Sequence, residues 1–343
     1  MIISACLQCA TVAAAGTPAG VVADSGAPHV LTPAESAQIA TRAPDQDESL
    51  FAGPTTADHI GRVVVPVKIN GRGPYRFVVD TGANHSTISS DLVRTLGLIP
   101  GQEASVILDG ITGSAQVSYV PIDRLQAGDL TLEDTMLPIV AAQVMAGADG
   151  ILGAAGMAHK SLLIDFRRNR VAIAPFLDPS ARTDAIKIHA ARVTSGLIAL
   201  ETEVGGVRTL AVLDTGSERT LGNLALRDAL RGKRRATQGF VASVTSVYGA
   251  TKEVEQGEIR AAPLIAIDSL RITNATIVFG GFHIFKVWHL VDRPTLILGM
   301  DILGTVPSLS IDFRNQDVYV GNARVTGTDL NARGNLGDQS QRK

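Results

Sequence analysis

The 343-residue sequence has only two cysteines, Cys6 and Cys9, both near its start. The chain downstream of them therefore holds neither a disulfide nor a catalytic thiol. Their C-x-x-C spacing suits a redox pair, but the strand before and the helix after that such a motif needs are missing. No apolar run reaches the ~18 residues of a membrane-spanning helix, so the chain reads as soluble. Charge of one sign is lacking as well. With 31 basic and 33 acidic residues the net charge is −2, and no global field favours nucleic acid or an anionic membrane. The sequence contains no G-x-S-x-G elbow and no P-loop, which leaves serine-hydrolase and nucleotide chemistry without support. His283 and His289 flank the single Trp288 without the spacing of a zinc helix. The expectation is a protein without metal or cofactor.

What is present points to strands. Apolar residues make up 45 % and charged residues 19 %, an ordinary globular balance, and the length suffices for two domains with sizeable cores. Thirty-four glycines, 15 prolines and abundant Val, Ile and Thr indicate short strands joined by turns. One stretch occurs twice: Phe77-Val78-Val79-Asp80-Thr81-Gly82-Ala83 and Ala211-Val212-Leu213-Asp214-Thr215-Gly216-Ser217, with the aspartates 134 residues apart. Each is preceded by a strand and a two-residue hairpin turn, Asn70-Gly71 in the first copy and Gly205-Gly206 in the second. Each is followed by a Ser/Thr-rich turn and a short helix, expected at 90–96 and 224–230 with Gly97 and Gly232 as stops. Further on, Gly150-Ile151-Leu152-Gly153 matches Leu296-Ile297-Leu298-Gly299, and Leu163-Ile164-Asp165-Phe166 matches Ser310-Ile311-Asp312-Phe313. Four landmarks in the same order make the chain a tandem repeat.

An aspartate closing a buried strand sits in a tight turn with little solvent, which is costly unless the carboxyl is hydrogen-bonded or protonated. Two such turns facing each other resolve the cost, because carboxylates about 3 Å apart cannot both ionise readily and share a proton. One then acts as general base on a water while its protonated partner polarises a carbonyl. Thr81 and Thr215 have hydroxyls that can bond the opposite loop, and Gly82 and Gly216 let the two backbones approach.

These residues resemble the retropepsin-like and pepsin-like aspartic proteases, whose signature is two Asp-Thr-Gly loops, each beside an Ile/Leu-rich strand ending in Gly. The resemblance covers about residues 59–322. It implies an all-β, two-lobed acid-protease fold, each lobe a small closed β-barrel with one short helix and the cleft between the lobes. Asp80 and Asp214 are the implied catalytic pair, supported by Thr81, Gly82, Thr215, Gly216 and Ser217. Retroviral members carry one motif per chain and dimerise; with both motifs in one chain, a monomer with internal pseudo-two-fold symmetry is complete. Ala83 is similar to the retroviral type. Ser217 is similar to the pepsin type, in which a hydroxyl there supports the neighbouring carboxylate. The family's glycine-containing flap fits Ile111, Thr112 and Gly113 in the first half and Tyr248 and Gly249 in the second.

The expected division is a leader over 1–57, lobes over 58–180 and 191–325, a linker over 181–190 and a flexible tail over 326–343. The small, apolar opening Met1 to Gly16, with Ala13-Ala14-Ala15 like a signal-peptidase site and Ile3-Ser4-Ala5-Cys6 like a lipobox, points to a periplasmic, secreted or lipid-tethered protein. The lack of a basic residue before Arg42 leaves a cytoplasmic leader as the alternative. A pro-segment that blocks the cleft is a further reading of the same residues. Thr32-Pro33-Ala34-Glu35 has the spacing of a capping box, and Lys233-Arg234-Arg235 reads as a solvated loop, an exosite or a processing site. The expected activity is endopeptidase action on a protein or peptide; the alternative is a peptide-binding module that keeps the fold without cleavage.

Overall fold

The computed structural model describes residues 2–5, 29–31, 62–101, 105–167, 170–175, 185–193, 196–233 and 243–321. Cys6, Cys9, the Thr32–Glu35 spacing, Arg234, Arg235 and the tail lie outside the described residues. The chain is mostly β. No helix among the described residues is long and apolar enough to cross a membrane.

Turn chemistry sets the first hairpin. Asn70 and Gly71 have φ of 49° and 76°, the left-handed pair that matches the twist of the flanking strands Val64–Ile69 and Arg72–Asp80. Gly205 and Gly206, at 54° and 75°, do the same between Ile198–Val204 and Val207–Leu213. The helix Ser90–Leu96 starts on Ser89, whose hydroxyl accepts from Leu92 N at 3.1 Å, and ends on Gly97 in the left-handed region. The second helix runs Leu224–Lys233, three residues beyond the expected end. Gly232 is helical and has open space around it, so nothing there demands the positive φ for which a glycine stop is selected. Its start is capped by Asn223, whose side-chain oxygen accepts from Leu226 N at 2.9 Å.

Six strands close a barrel in the first half. In order around it these are Val64–Ile69, Arg72–Asp80, Gly150–Gly153, Thr87–Ser89, Leu130–Val140 and the long strand Ser114–Ala127, which pairs back to the first. The outer half of that long strand pairs with Ser105–Gly110 and projects as a hairpin. After residue 196 the strands Ile198–Val204, Val207–Leu213, Thr295–Leu298, Leu221–Gly222 and Thr276–Phe279 follow in the same spatial order. Here the equivalent of the long strand is split into Val254–Ala261 and Ile265–Ile267. Pro263 lies in the break and has no N–H to give to a ladder. The expectation of a closed barrel in each half therefore holds for the first; the second is a sheet whose ladder is interrupted at Pro263.

A five-stranded antiparallel sheet joins strands from the middle of the chain to strands near residue 320: Arg170–Ala174, Ser161–Asp165, Ser308–Asp312, Asp317–Val320 and Ile186–His189. Ile186–His189 falls within the stretch read as a linker, and its pairing with Asp317–Val320 ties that stretch into the sheet. Leu162, Ile164, Ile311 and Phe313 from this sheet join one continuous core with Val65, Phe77, Leu213 and Leu298. Within the stretch read as a leader, Ile2–Ala5 pairs with Ser105–Gly110 and His29–Leu31 with Leu270–Thr273.

Because Ile311 is fully buried opposite Leu162, Ile311→Ala should cost ~3 kcal/mol of unfolding free energy. Urea denaturation measures it, and a loss below about 1 kcal/mol would show this sheet to lie outside the cooperative core.

Candidate active site

Each Asp-Thr-Gly loop is fixed by a parallel strand pair. Arg72–Asp80 runs beside Gly150–Gly153 with Asp80 opposite Gly153, and Val207–Leu213 runs beside Thr295–Leu298, ending just before Asp214 and Gly299. The segment after each motif then crosses over the neighbouring glycine. A Cβ on Gly153 would lie 2.7 Å from the His85 carbonyl oxygen, and one on Gly299 2.5 Å from that of Arg219. Close backbone approach is the reason glycine stands there. Ala154 N donates to Ala83 O and Met300 N to Ser217 O, both at 2.8 Å. The turn hydroxyls of Ser86 and Thr220 accept from Gly153 N and Gly299 N at 3.1 and 3.2 Å.

The two loops are bolted together by their threonines. Thr81 Oγ1 donates to Leu213 O at 2.8 Å and accepts from Thr215 N at 3.1 Å. Thr215 Oγ1 donates to Val79 O at 2.7 Å and accepts from Thr81 N at 3.2 Å. Every hydroxyl in this exchange both gives and accepts, and all are buried.

Across that lattice the carboxyls meet. The space a Cβ of Gly82 would fill is taken by the Asp214 carboxyl, and that of Gly216 by the Asp80 carboxyl, each with Oδ1 2.6 Å away. Asp80 Oδ1 accepts from Gly82 N at 2.9 Å; Asp214 Oδ1 accepts from Gly216 N at 2.9 Å and Ser217 N at 3.0 Å. Both aspartates are wholly buried. Burial first, then the adjacent Asp214 charge and a carboxyl–carboxyl hydrogen bond, push Asp80 well above the ordinary carboxylate value; the Gly82 and Ala83 amides oppose this weakly.

One expectation is corrected at Ser217. Its hydroxyl donates to Arg219 O at 2.8 Å, so it is the Ser217 N–H, and not its side chain, that supports Asp214. A main-chain amide is available to any residue at this position, which is why the choice of serine there does not report on the carboxylate.

The expected flap residues converge. Ile111 is fully buried and packs with Val212, Leu221, Phe282, Ile284 and Ile297, apolar residues of the second half. Thr112 Oγ1 lies 3.3 Å from Thr251 Oγ1, and a Cβ on Gly249 would lie 2.8 Å from Thr112 Oγ1. Tyr248 closes the strand Ser243–Tyr248 opposite Val254, and Gly113 lies against Glu253. Beyond Gly249, Ala250 packs with Ala83, Val106, Leu108 and Ile151 of the first half. The two tips thus cross, each seated in the other half's apolar cluster.

Three further groups stand out around these loops, of which the sequence singles out only His283, as a residue without zinc spacing. Arg62, ahead of the first strand, is drawn electrostatically to Asp80 and Glu218, although its burial works against the charge. Asp301 accepts from Thr220 N at 3.0 Å and Thr220 Oγ1 at 2.7 Å, and burial lifts its carboxyl to about 6. His283 begins the helix His283–Val287 and meets Asp109. Among the described residues no cluster of three or more His, Cys, Asp or Glu side chains is placed to hold a metal.

Residues 65–155 match the family model described as aspartyl protease, a span that includes Asp80-Thr81-Gly82 and Ile111-Thr112-Gly113. That stretch is similar to the aspartyl proteases, and the similarity points to a peptidase. No curated protein matches the chain.

Two outcomes follow from this geometry. Thr215→Val should leave Thr81 N and Val79 O unpaired in the interior and cost about 3 kcal/mol, while Thr215→Ser retains most of the stability; equal denaturation midpoints for the two variants would contradict the lattice. For Asp301 the folded value of about 6 exceeds the ordinary 3.8, so the folded state holds its proton longer. The stability it contributes is full below 3.8 and is lost as pH rises through about 6. Unfolding of Asp301→Asn followed across that range should lack this part of the decline.

Proposed function

We propose that the chain is an aspartic endopeptidase whose two carboxyls, Asp80 and Asp214, come from one polypeptide and activate one water. The observation that carries this reading is the reciprocal burial of each carboxyl in the other loop's glycine site. In support, the two halves share strand order, turn type and the threonine exchange. These features favour two lobes over 58–180 and 191–325 with the cleft between them, and a complete monomer.

The hydrogen bonds assign the roles. Asp214 Oδ1 has two amide donors within 3.0 Å, whereas Asp80 Oδ1 has Gly82 N at 2.9 Å and only a weak pull from the Ala83 amide, which lies 3.4 Å from the Asp80 main-chain oxygen. On this reading the better hydrogen-bonded Asp214 carries the charge and Asp80 the proton. Asp214 then takes a proton from water while the water oxygen bonds to the peptide carbonyl carbon, and Asp80 gives its proton to the carbonyl oxygen. On collapse the C–N bond breaks, Asp214 returns its proton to the leaving nitrogen and Asp80 recovers one from the diol. The water and the peptide are consumed and the pair ends as it began. The macroscopic titration belongs to both carboxyls together.

Mass-spectrometric profiling of a peptide library with wild type, Asp80→Asn and Asp214→Asn tests this. Wild type should cleave internal bonds, and each variant should lose at least about a hundredfold in rate while unfolding as wild type does. Cleavage by either variant at the wild-type rate would falsify the shared-pair mechanism. Inhibitor binding without cleavage by the wild type would favour the peptide-binding module.

A further inference from the structure

The hairpin tip Gly110–Ser114 is held down by more than apolar contact. Its two flanking residues, Asp109 and Ser114, both reach one atom of the second half, Nε2 of His283. The distances are 3.2 Å to Asp109 Oδ1 and 2.8 Å to Ser114 Oγ, and Ser114 Oγ also donates to Asp109 Oδ1. This is not a nucleophile relay. There the carboxylate and the hydroxyl bond opposite ring nitrogens, whereas here they share one, and the serine proton points at the aspartate. The consistent assignment is an Nε2–H that donates into the Ser114–Asp109 pair.

The rest of the helix start is committed to the same task. Ile284 N donates to Ile111 O at 3.3 Å, so the tip's main chain is held as well as its flanks. His283 N donates to Glu255 Oε1 at 3.2 Å, which fixes the imidazole's own backbone to the return strand of the second hairpin. The charged and titratable groups facing the imidazole are Asp109 on the first hairpin and Glu253 and Glu255 on the second, with Lys286 acting on Glu255 from the same helix. Asp109 is 8 % exposed and His283 29 %, so the contact is mostly shielded from water. By contrast, Ala250 on the second hairpin seats by apolar packing on Ala83, Leu108 and Ile151.

We propose that His283 is a latch: a positioning residue that holds the first hairpin closed over the carboxyl pair and sets how fast the site opens. The pair is fully buried, and Ala250 of the second tip packs with Ala83 beside the first motif, so on this reading a peptide reaches the carboxyls only when the crossed tips part. The functional side of the proposal rests on the endopeptidase reading; the mechanical side does not. Because the latch is made whenever the hairpin is down, with or without peptide, breaking it speeds entry and exit alike and leaves equilibrium affinity nearly unchanged.

Hydrogen exchange on the full-length protein measures the mechanical side. In His283→Ala the amides of 110–114 should exchange about tenfold faster, the worth of one charge-assisted hydrogen bond. Segments containing Val79 and Leu213 should stay as protected as in wild type, which verifies the fold. His283→Gln, which places an N–H where Nε2 stood, should restore most of the protection. Should His283→Ala not fold, Asp109→Ala removes the acceptor from the hairpin side and should raise exchange in the same direction. Stopped-flow association of pepstatin then reads the functional side, with association and dissociation rates both rising by the same factor as the exchange. Unchanged exchange at 110–114 in a folded variant overturns the latch, as does faster exchange with an unaltered association rate. If wild type does not bind pepstatin at all, it is the endopeptidase reading that fails, and the exchange comparison alone decides the latch.

Discussion

Two carboxyl groups buried against each other are the constraint on which the rest of this structure depends. In water such a pair separates or ionises freely; in a site without solvent neither is possible. The chain holds them by spending main-chain donors on Oδ1 of each and by locking the loops through Thr81 and Thr215. The threonine exchange matters because it works on the backbone. Thr81 Oγ1 bonds Leu213 O, the residue immediately before Asp214, and Thr215 Oγ1 bonds Val79 O, the residue immediately before Asp80. Neither carboxyl can retreat without breaking a buried hydrogen bond in the other loop. The burial and the proximity that raise Asp80 are thereby properties of the fold and not of the side-chain rotamers.

The same closeness explains the distribution of glycine. Gly82 and Gly216 stand where the opposite carboxyl must pass, and Gly153 and Gly299 where the returning chain must pass. These four positions are set by volume, since none has a positive φ. The hairpin glycines Gly71, Gly205 and Gly206 are set by conformation instead. One residue type thus does two jobs, and they separate only when contacts and dihedrals are seen together.

Much of this was legible in the sequence because it is local or repeated. Asn70-Gly71 specifies its turn, Ser89 and Gly97 bound their helix, and the paired motifs foretell that Thr81 and Thr215 face each other. What was not legible depends on chain passing close to chain. Gly232 reads as a stop, yet it lies within the helix Leu224–Lys233. Ser217 reads as a hydroxyl for Asp214, yet the turn directs it to Arg219 O. Pro263 interrupts a ladder that alternation alone would continue. His283 is 174 residues from Asp109, and no local pattern pairs residues at that range. The family model matches residues 65–155, within the first half.

The two halves are alike where the chemistry needs likeness and unlike where access is controlled. At the carboxyls the donors differ slightly, Ser217 N reaching Asp214 Oδ1 while Ala83 N lies nearer Asp80 O, and the proposed placing of the proton on Asp80 rests on that difference. At the hairpins the difference is larger. The first tip is pinned by Asp109, Ser114 and Ile111 O to a helix, His283–Val287, while Ala250 of the second tip packs among Ala83, Val106, Leu108, Met145 and Ile151. A site built from two equal lids would need both to lift against equal resistance. On the latch we propose, resistance is concentrated at His283, because the second tip is held by the packing of Ala250 and the Thr112–Thr251 hydroxyl contact, and a change at that one residue alters it. The place that holds the short turn Ala142–Met145 in the first half holds the helix His283–Val287 in the second, and the proposed control of entry rests on that difference.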